Sequence, residues 1–95
     1  MDQFSSDMEV QRRPEILHSR VDDAVYALDT ASGACFAFHG PSARLWELLG
    51  EPITPAAAAR RLVEQYQIDE ESCRREVADH FTSLHGEGLI VATGR

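Results

Sequence analysis

The side chains able to bind a metal or act as nucleophiles are few in this chain and lie far apart. Of four histidines, only His80 and His85 are close along the sequence. Residues five apart do not share one helix face, so this pair lacks the i, i+4 spacing of a helical zinc site. Cys35 and Cys73 have no CxxC spacing, and an isolated free cysteine is usually a small buried apolar residue. We therefore predict no metal site and no cofactor.

Paired carboxylates could serve as general acid and base, but their positions indicate structural roles. Asp22-Asp23 occurs where a turn is expected. Glu70-Glu71 occurs at the start of a predicted helix, where negative charge is favoured by the helix dipole. The chain has no Ser-His-Asp signature, no P-loop and no GxGxxG sequence. A small enzyme is thus the least favoured class, and we predict that this protein is not an enzyme.

The charge balance restricts the partners. Nine Lys and Arg residues, all of them arginine, face 16 Asp and Glu residues, which gives a formal net charge of −7. Affinity for nucleic acid depends on cations that displace counterions from phosphates, so an acidic chain is a poor DNA or RNA partner. No apolar run approaches the roughly 20 residues that span a bilayer. Two cysteines without a disulfide pattern favour a reducing compartment, and we expect the cytoplasm.

The elements that must position any site begin, in this interpretation, after a flexible tail over residues 1–14. Strands are predicted over Ile16–Val21, Ala24–Asp29 and Ala34–Phe38, because these stretches are rich in β-branched and aromatic residues. The last two form a hairpin through a turn in which Gly33 supplies a positive φ. With this turn, Leu28 faces Cys35 and Ala27 faces Phe36. Two faces follow from that register: Val25, Ala27, Phe36 and Phe38 on one, and Tyr26, Leu28, Cys35 and Ala37 on the other.

Three helices follow the strands. Pro41 suits a first helical turn, and Thr54-Pro55 supplies an N-cap and a proline at the first position of a second helix. Asp69 can cap a third helix, which Gly86 and Gly88 end. Its apolar stripe is Cys73, Val77, Phe81 and Leu84. The predicted fold is α+β, a three-stranded antiparallel sheet followed by three helices, similar to a winged helix-turn-helix.

The third predicted strand is an unusual one for a sheet edge. Residues 34–38 contain no charge and no proline, the usual guards against unwanted strand pairing. An unguarded edge can accept a visiting peptide as an additional strand. It can also pair with the same edge of a second copy, so a homodimer is compatible with the sequence.

Together these pieces resemble a known family. The hairpin VYALDTASGACFAF, the helix PSARLWELL, the helix IDEESCRREVADHF and the closing EGLI resemble the PqqD-like family over about residues 15–92. This family includes coenzyme PQQ synthesis protein D and the recognition elements for ribosomally made, post-translationally modified peptides (RiPPs). Members often have Leu-Asn before the helix-opening proline, where this chain has His39-Gly40.

The resemblance implies a non-catalytic adaptor. It would bind the leader segment of a precursor peptide as a strand beside the third β-strand, against the third helix, and present it to a separate modifying or proteolytic enzyme. Carried over by position, the peptide-binding residues would be Cys35, Phe36, Ala37 and Phe38 on the strand, and Arg74, Arg75, Ala78, Asp79, Phe81 and Thr82 on the helix. The pathway would be of the lasso type, another RiPP pathway or PQQ assembly.

The second hypothesis is a winged-helix DNA-binding regulator. The predicted topology allows it, and the acidic balance opposes it. In that case arginine pairs on the helices would contact phosphates, and binding would weaken steeply with salt. The pairs are Arg60-Arg61 and Arg74-Arg75.

Overall fold

A computed structural model describes residues 8–93. Its elements in chain order are β1 (Val10–Arg12), β2 (Ile16–Val21), β3 (Ala24–Asp29), β4 (Cys35–His39), α1 (Pro41–Leu48), α2 (Pro55–Tyr66), α3 (Glu70–Gly86) and β5 (Ile90–Ala92). β2, β3 and β4 form an antiparallel sheet in that order, and β1 pairs with β5 in a separate two-stranded ribbon. The predicted α+β class, with a three-stranded sheet followed by three helices, is confirmed.

The β3–β4 hairpin has the predicted register. Leu28 lies opposite Cys35 and Ala27 opposite Phe36. Gly33 adopts a φ of 81°, a left-handed conformation that glycine reaches without a steric penalty. Asp29 accepts a hydrogen bond from the Gly33 N–H and donates its own N–H to the Ala34 carbonyl, so one residue of β3 opposes two residues of the turn. This bulge sets which backbone groups of β4 point toward β3.

The helices begin where their caps predicted. The Thr54 hydroxyl accepts a hydrogen bond from the Ala57 N–H, and the Asp69 carboxylate accepts one from the Ser72 N–H. Each cap satisfies a backbone donor that has no partner inside its helix. The predicted stripe of α3 is buried at all four positions, which are Cys73, Val77, Phe81 and Leu84.

The predicted tail over residues 1–14 is wrong at residues 10–12. Val10 has no exposed surface, and β1 pairs with β5 from Val10 opposite Ala92 to Arg12 opposite Ile90. Val10 also exchanges backbone hydrogen bonds with Ile53 in the loop before α2. The folded region therefore starts before Glu15, while residues 1–7 of the predicted tail lie outside the described residues. A segment of three residues is too short to show an alternating apolar pattern. Its strand conformation follows from its pairing with β5.

Candidate functional site

β4 is an edge strand with open backbone groups. It pairs with β3 on one side, and no strand within residues 8–93 pairs with its other side. Backbone groups in an antiparallel ladder point alternately toward and away from the partner strand. Because the ladder starts at the Asp29–Ala34 bond, Phe36 and Phe38 direct their N–H and C=O groups to β3. Every second residue from Cys35, namely Cys35, Ala37 and His39, therefore offers an N–H and a C=O at the open edge.

The side chains of β4 alternate between the interior and the outer face of the sheet. Phe38 is 7% exposed and stacks on Trp46 of α1, with ring centroids 5.2 Å apart and an interplanar angle of 17°. Phe36 is half-buried and packs against the core, whereas Cys35 and Ala37 are exposed. The four strand residues predicted for peptide binding are thus together at the edge, two on each face.

His80 of α3 contacts Phe38 of β4. Its ring meets Phe38 edge to face with centroids 6.3 Å apart. The His80 Nε2 atom is buried and has no hydrogen-bond partner among the described residues. Burial also lowers the pKa of His80, because a charged imidazolium is less well solvated there than in water. A neutral ring with an unused nitrogen therefore lies beside the strand edge.

The α3 residues predicted for peptide binding lie away from this contact. Phe81 has no exposed surface and belongs to the core, so its side chain is not accessible to a bound peptide. Ala78 and Thr82 are half-buried, and Arg74, Arg75 and Asp79 are exposed. Successive helical residues are rotated by about 100°, so Ala78 and Thr82, two positions on either side of His80, leave the helix on nearly the opposite side. The part that these helix residues play in peptide binding stays a prediction.

His80 is absent from the site residues predicted from the sequence, because an isolated histidine there carries no site pattern. A signal was present, since His80 lies four residues after Glu76 and directly before Phe81 of the buried stripe. Positions i and i+4 share a helix flank, so both residues border that stripe on one side. The missing information was which flank of α3 faces β4.

A cavity of about 370 Å³ lies close to the end of β4. It opens between the start of α1, the end of α2 and the His80 flank of α3. Most of its walls are apolar, and Glu76, Ser42 and His80 supply polar groups. The lining residues are Pro41, Ser42, Leu45, Leu62, Ile68, Cys73, Glu76, Val77 and His80. The first lining residue, Pro41, lies two residues after His39, the last residue of β4.

Metal and thiol chemistry have little support in the described part of the chain. No group of three or more His, Cys, Asp or Glu side chains there is arranged to hold a metal ion. Cys73 is buried, with its sulfur 3.7 Å from the Ala59 carbonyl oxygen, and burial raises the pKa of its thiol. A raised pKa disfavours the nucleophilic thiolate. None of the helices between residues 8 and 93 has the length and apolarity to cross a bilayer.

The family model of coenzyme PQQ synthesis protein D (PqqD) matches residues 24–90, which is more than half of the chain. The chain belongs to the PqqD family. The matched region runs from the start of β3 into β5 and contains the β4 edge, His80 and the cavity. The resemblance seen in the sequence is thereby confirmed. No curated protein matches this PqqD-family chain significantly by sequence.

Two solved structures share the fold of this PqqD-family chain. One is TbiB1 in complex with the TbiA(beta) leader peptide, with a TM-score of 0.79 and 21% identity, covering 90% of this chain and 99% of that chain. The other is lasso peptide synthetase B1 complexed with the leader peptide, with a TM-score of 0.77 and 28% identity, covering 87% of this chain and 98% of that chain. Both neighbours are structures with a leader peptide bound.

Proposed function

We propose that this chain is a non-catalytic adaptor that binds the leader segment of a ribosomally made precursor peptide and presents it to a separate processing enzyme. The leader adds as a fourth strand at the open edge of β4. The observation that carries this proposal is the edge itself: Cys35, Ala37 and His39 direct unpaired backbone groups outward from a strand with neither a charge nor a proline.

The groove between β4 and the His80 flank of α3 supplies the affinity and the sequence specificity that backbone pairing lacks. Three or four ladder hydrogen bonds contribute about 0.5–1.5 kcal/mol each, and they are nearly independent of the leader's sequence. Micromolar affinity requires about −8 kcal/mol, and ordering a flexible peptide costs several kcal/mol. Burial of one or two large leader side chains adds about 1.5–3 kcal/mol each. The cavity near His39 and the half-buried Phe36 are the places for such burial, so leader specificity resides there.

The two structural neighbours favour a lasso-type RiPP pathway over PQQ assembly, because one is named as a lasso peptide synthetase B1 and both hold leader peptides. A precursor peptide meets its adaptor where it is translated, and the exposed free thiol of Cys35 is stable in a reducing compartment. We therefore place the encounter in the cytoplasm. The partner enzyme is the modifying or proteolytic enzyme of the same pathway.

The alternative of a winged-helix DNA-binding regulator gains no support from these neighbours, whose bound partners are leader peptides. A formal net charge of −7 also opposes association with a polyanion. Pairing of two copies through β4 stays a prediction. Since it would use the same edge, leader peptide should dissociate such a dimer.

Ala37→Pro tests the edge directly. Proline has no N–H, so this change removes one outward donor without breaking a hydrogen bond to β3. Loss of one ladder bond should weaken leader binding about fivefold or more, as measured by fluorescence anisotropy with a labelled leader.

Ala37→Val is the matched control, because it keeps the N–H and favours a strand. It should bind leader as the wild type does. Equal affinity for the proline and valine variants, with both proteins folded by circular dichroism, would show that the leader does not pair with β4.

A further inference from the structure

A second cavity, of about 380 Å³, lies beside β2, at the opposite edge of the three-stranded sheet from β4. It opens between the end of β1, the start of β2, the end of the first helix region and β5. No residue of β4, α2 or α3 lines it. We call it the arginine pocket, and its lining residues are Gln11, Arg12, Arg13, Pro14, Ile16, His18, Gly50 and Val91.

The arginine pocket concentrates positive charge in an acidic protein. The chain has a formal net charge of −7, yet the pocket lining contains two arginines and neither Asp nor Glu. Glu15 lies 3.4 Å from the Nε atom of Arg13 and matches the charge of that side chain. Glu47 is the carboxylate whose charge acts on Arg12, but it is paired with arginines of β2 and α1. Among residues 8–93, Arg12 therefore has no ion-pair partner of its own, and one positive charge is unmatched.

The Arg12 guanidinium is held in place by uncharged groups. Its Nη1 atom donates to the Trp46 carbonyl over 2.8 Å, and its carbon lies 5.5 Å from the centroid of the Trp46 ring. Gly50 gives it room, since a Cβ atom at that position would lie 3.0 Å from Nη2. Burial lowers the pKa of Arg12, because the cation has lost part of its hydration. A guanidinium that is already fixed loses little freedom when it binds an anion.

The other polar side chains of the pocket are anchored as well. Arg13 donates from Nη1 to the Gly88 carbonyl over 3.0 Å, and the Gln11 side chain donates to the carbonyl of Gly50 over 3.2 Å. Burial and the charge of Arg12 lower the pKa of His18, so its ring is neutral near pH 7 and adds no charge. The pocket thus presents preorganised donors around a single excess positive charge.

A single excess charge favours a monovalent anion. A carboxylate has one negative charge and two oxygens that match two donors of a guanidinium fork. A phosphate monoester carries about −1.5 to −2 charges at pH 7 and would leave the pocket negative. Pro14, Ile16 and Val91 supply apolar walls for the methylene groups of a glutamate side chain.

We infer that the arginine pocket binds one carboxylate side chain of a partner protein, at the opposite edge of the sheet from β4. This inference goes beyond the proposed function, since no residue of the pocket belongs to β4 or α3. The general negative charge of the chain repels acidic partners, so an acidic side chain gains attraction where this local charge outweighs that repulsion. The pocket then fixes the position at which the partner docks.

A capped tripeptide, acetyl-Gly-Glu-Gly-amide, is the probe, and the same peptide with glutamine in place of glutamate is the control for charge. Each is titrated into the full chain labelled with ¹⁵N, at an ionic strength held constant with sodium chloride. The signals followed are the Nε–H of Arg12 and the indole N–H of Trp46, the one tryptophan of the sequence. The glutamate peptide should shift both signals with a dissociation constant on the order of 1–10 mM, as two charge-assisted hydrogen bonds allow. The glutamine peptide should shift neither.

Two variants assign the binding to the pocket. Arg12→Gln removes the unmatched charge and should weaken binding about tenfold or more, followed through the Trp46 signal. Gly50→Ala keeps every charge but places a methyl group against the guanidinium, and it should weaken binding by about threefold or more. Arg60→Gln is the matched control, because it removes the charge of an exposed arginine on α2, outside the pocket. It should bind the probe as the wild type does, and thermal unfolding confirms that all compared proteins are folded.

Several outcomes would overturn the inference. Equal shifts with the glutamate and glutamine peptides, or equal affinity of wild type and Arg12→Gln, would remove the pocket as a carboxylate site. Tighter binding of inorganic phosphate at the same ionic strength would overturn the assignment to a carboxylate. Binding that requires Asp2→Asn and Asp7→Asn would mean that the chain's own carboxylates are the ligand. None of these measurements uses a leader peptide, so their failure leaves the proposed function unaffected.

Discussion

Trp46 connects the elements that form the site. Its ring stacks on Phe38 of β4, meets His18 of β2 edge to face at 6.0 Å, and lies 5.5 Å from the guanidinium carbon of Arg12 in β1. The Arg12 side chain also donates a hydrogen bond to the Trp46 carbonyl over 2.8 Å. The inner face of the edge strand is therefore held by an aromatic side chain that is 1% exposed. Such packing keeps β4 in a fixed orientation for an incoming strand.

His80 makes protein stability depend on pH. Burial lowers its pKa, so the folded protein keeps the ring neutral where the unfolded chain, with an ordinary value of about 6.5, takes up a proton. This contribution to stability is complete above about pH 6.5 and is lost as pH falls toward the lowered folded pKa. His18 acts in the same direction, through burial and the charge of Arg12.

We expect the melting temperature to fall from pH 8 to pH 5, and His80→Gln to reduce that fall, because glutamine does not titrate. Measurement above pH 5 stays outside the pH range in which the carboxylates of Asp29 and Asp69 take up protons, because their pKa values are lowered. Glu76 lines the same cavity and is left unchanged. Identical slopes in wild type and variant, by differential scanning fluorimetry, would contradict this role of His80.

Among the secondary-structure elements, the β1–β5 ribbon completes the hydrophobic core. Val10 of β1 and Ile90 of β5 belong to the same buried core cluster as Leu49 and Leu89, and the Arg12 N–H donates to the Leu49 carbonyl at the end of α1. A three-residue strand is short for independent stability. Its persistence here follows from burial against the helices, which makes β1 part of the domain although the family match begins later, at residue 24.

Val10→Ala should lower the free energy of unfolding by about 2 kcal/mol, since it removes two buried methyl groups at a site without exposed surface. Urea unfolding followed by circular dichroism measures this. Val91→Ala on the partner strand is the control and should cost less than about 0.5 kcal/mol, because that side chain is exposed. A negligible effect of Val10→Ala would mean that β1 contributes nothing to the core.

The two flanks of α3 can be separated by one pair of variants. Ser83 lies three residues after His80, on the flank that meets Phe38, while Ala78 lies on the other flank. We expect Ser83→Arg to weaken leader binding about tenfold by obstructing the groove, and Ala78→Arg to leave it unchanged. The reverse result in anisotropy titrations would favour the helix residues predicted from the sequence: Arg74, Arg75, Ala78, Asp79 and Thr82.

At the scale of the whole molecule, the hydrophobic core is thin. Ninety-five residues bury only about 64% of the unfolded surface, so the margin of stability is small. A leader that binds only the folded chain adds to that margin by mass action. The open edge of β4 is then a feature of the free chain that the proposed leader would cover.

Leader at a hundred times its dissociation constant should stabilise the protein by about 2.7 kcal/mol. For a domain of this size that amounts to a rise in melting temperature of roughly 10 °C or more. Differential scanning fluorimetry with the leader measures the shift, and a scrambled peptide of the same composition is the control. The same shift with both peptides would mean that binding does not depend on the leader's sequence.

Local chemistry was sufficient to predict much of this protein. The caps at Thr54 and Asp69, the buried stripe of α3 and the β3–β4 register depend on residues close along the chain, so they could be predicted from spacing and turn geometry. The unguarded composition of β4 was equally readable. These features were enough for the fold class and for the resemblance to the PqqD family.

Only the tertiary structure decided the features that depend on distant partners. β1 is a strand because β5, 80 residues further along, lies beside it, with Gln11 opposite Val91. His80 meets Phe38 of β4 because the direction of α3 across the sheet brings that flank of the helix to the strand. A periodic pattern marks which side of a helix is buried, but the crossing of two elements determines which border of that side forms a groove.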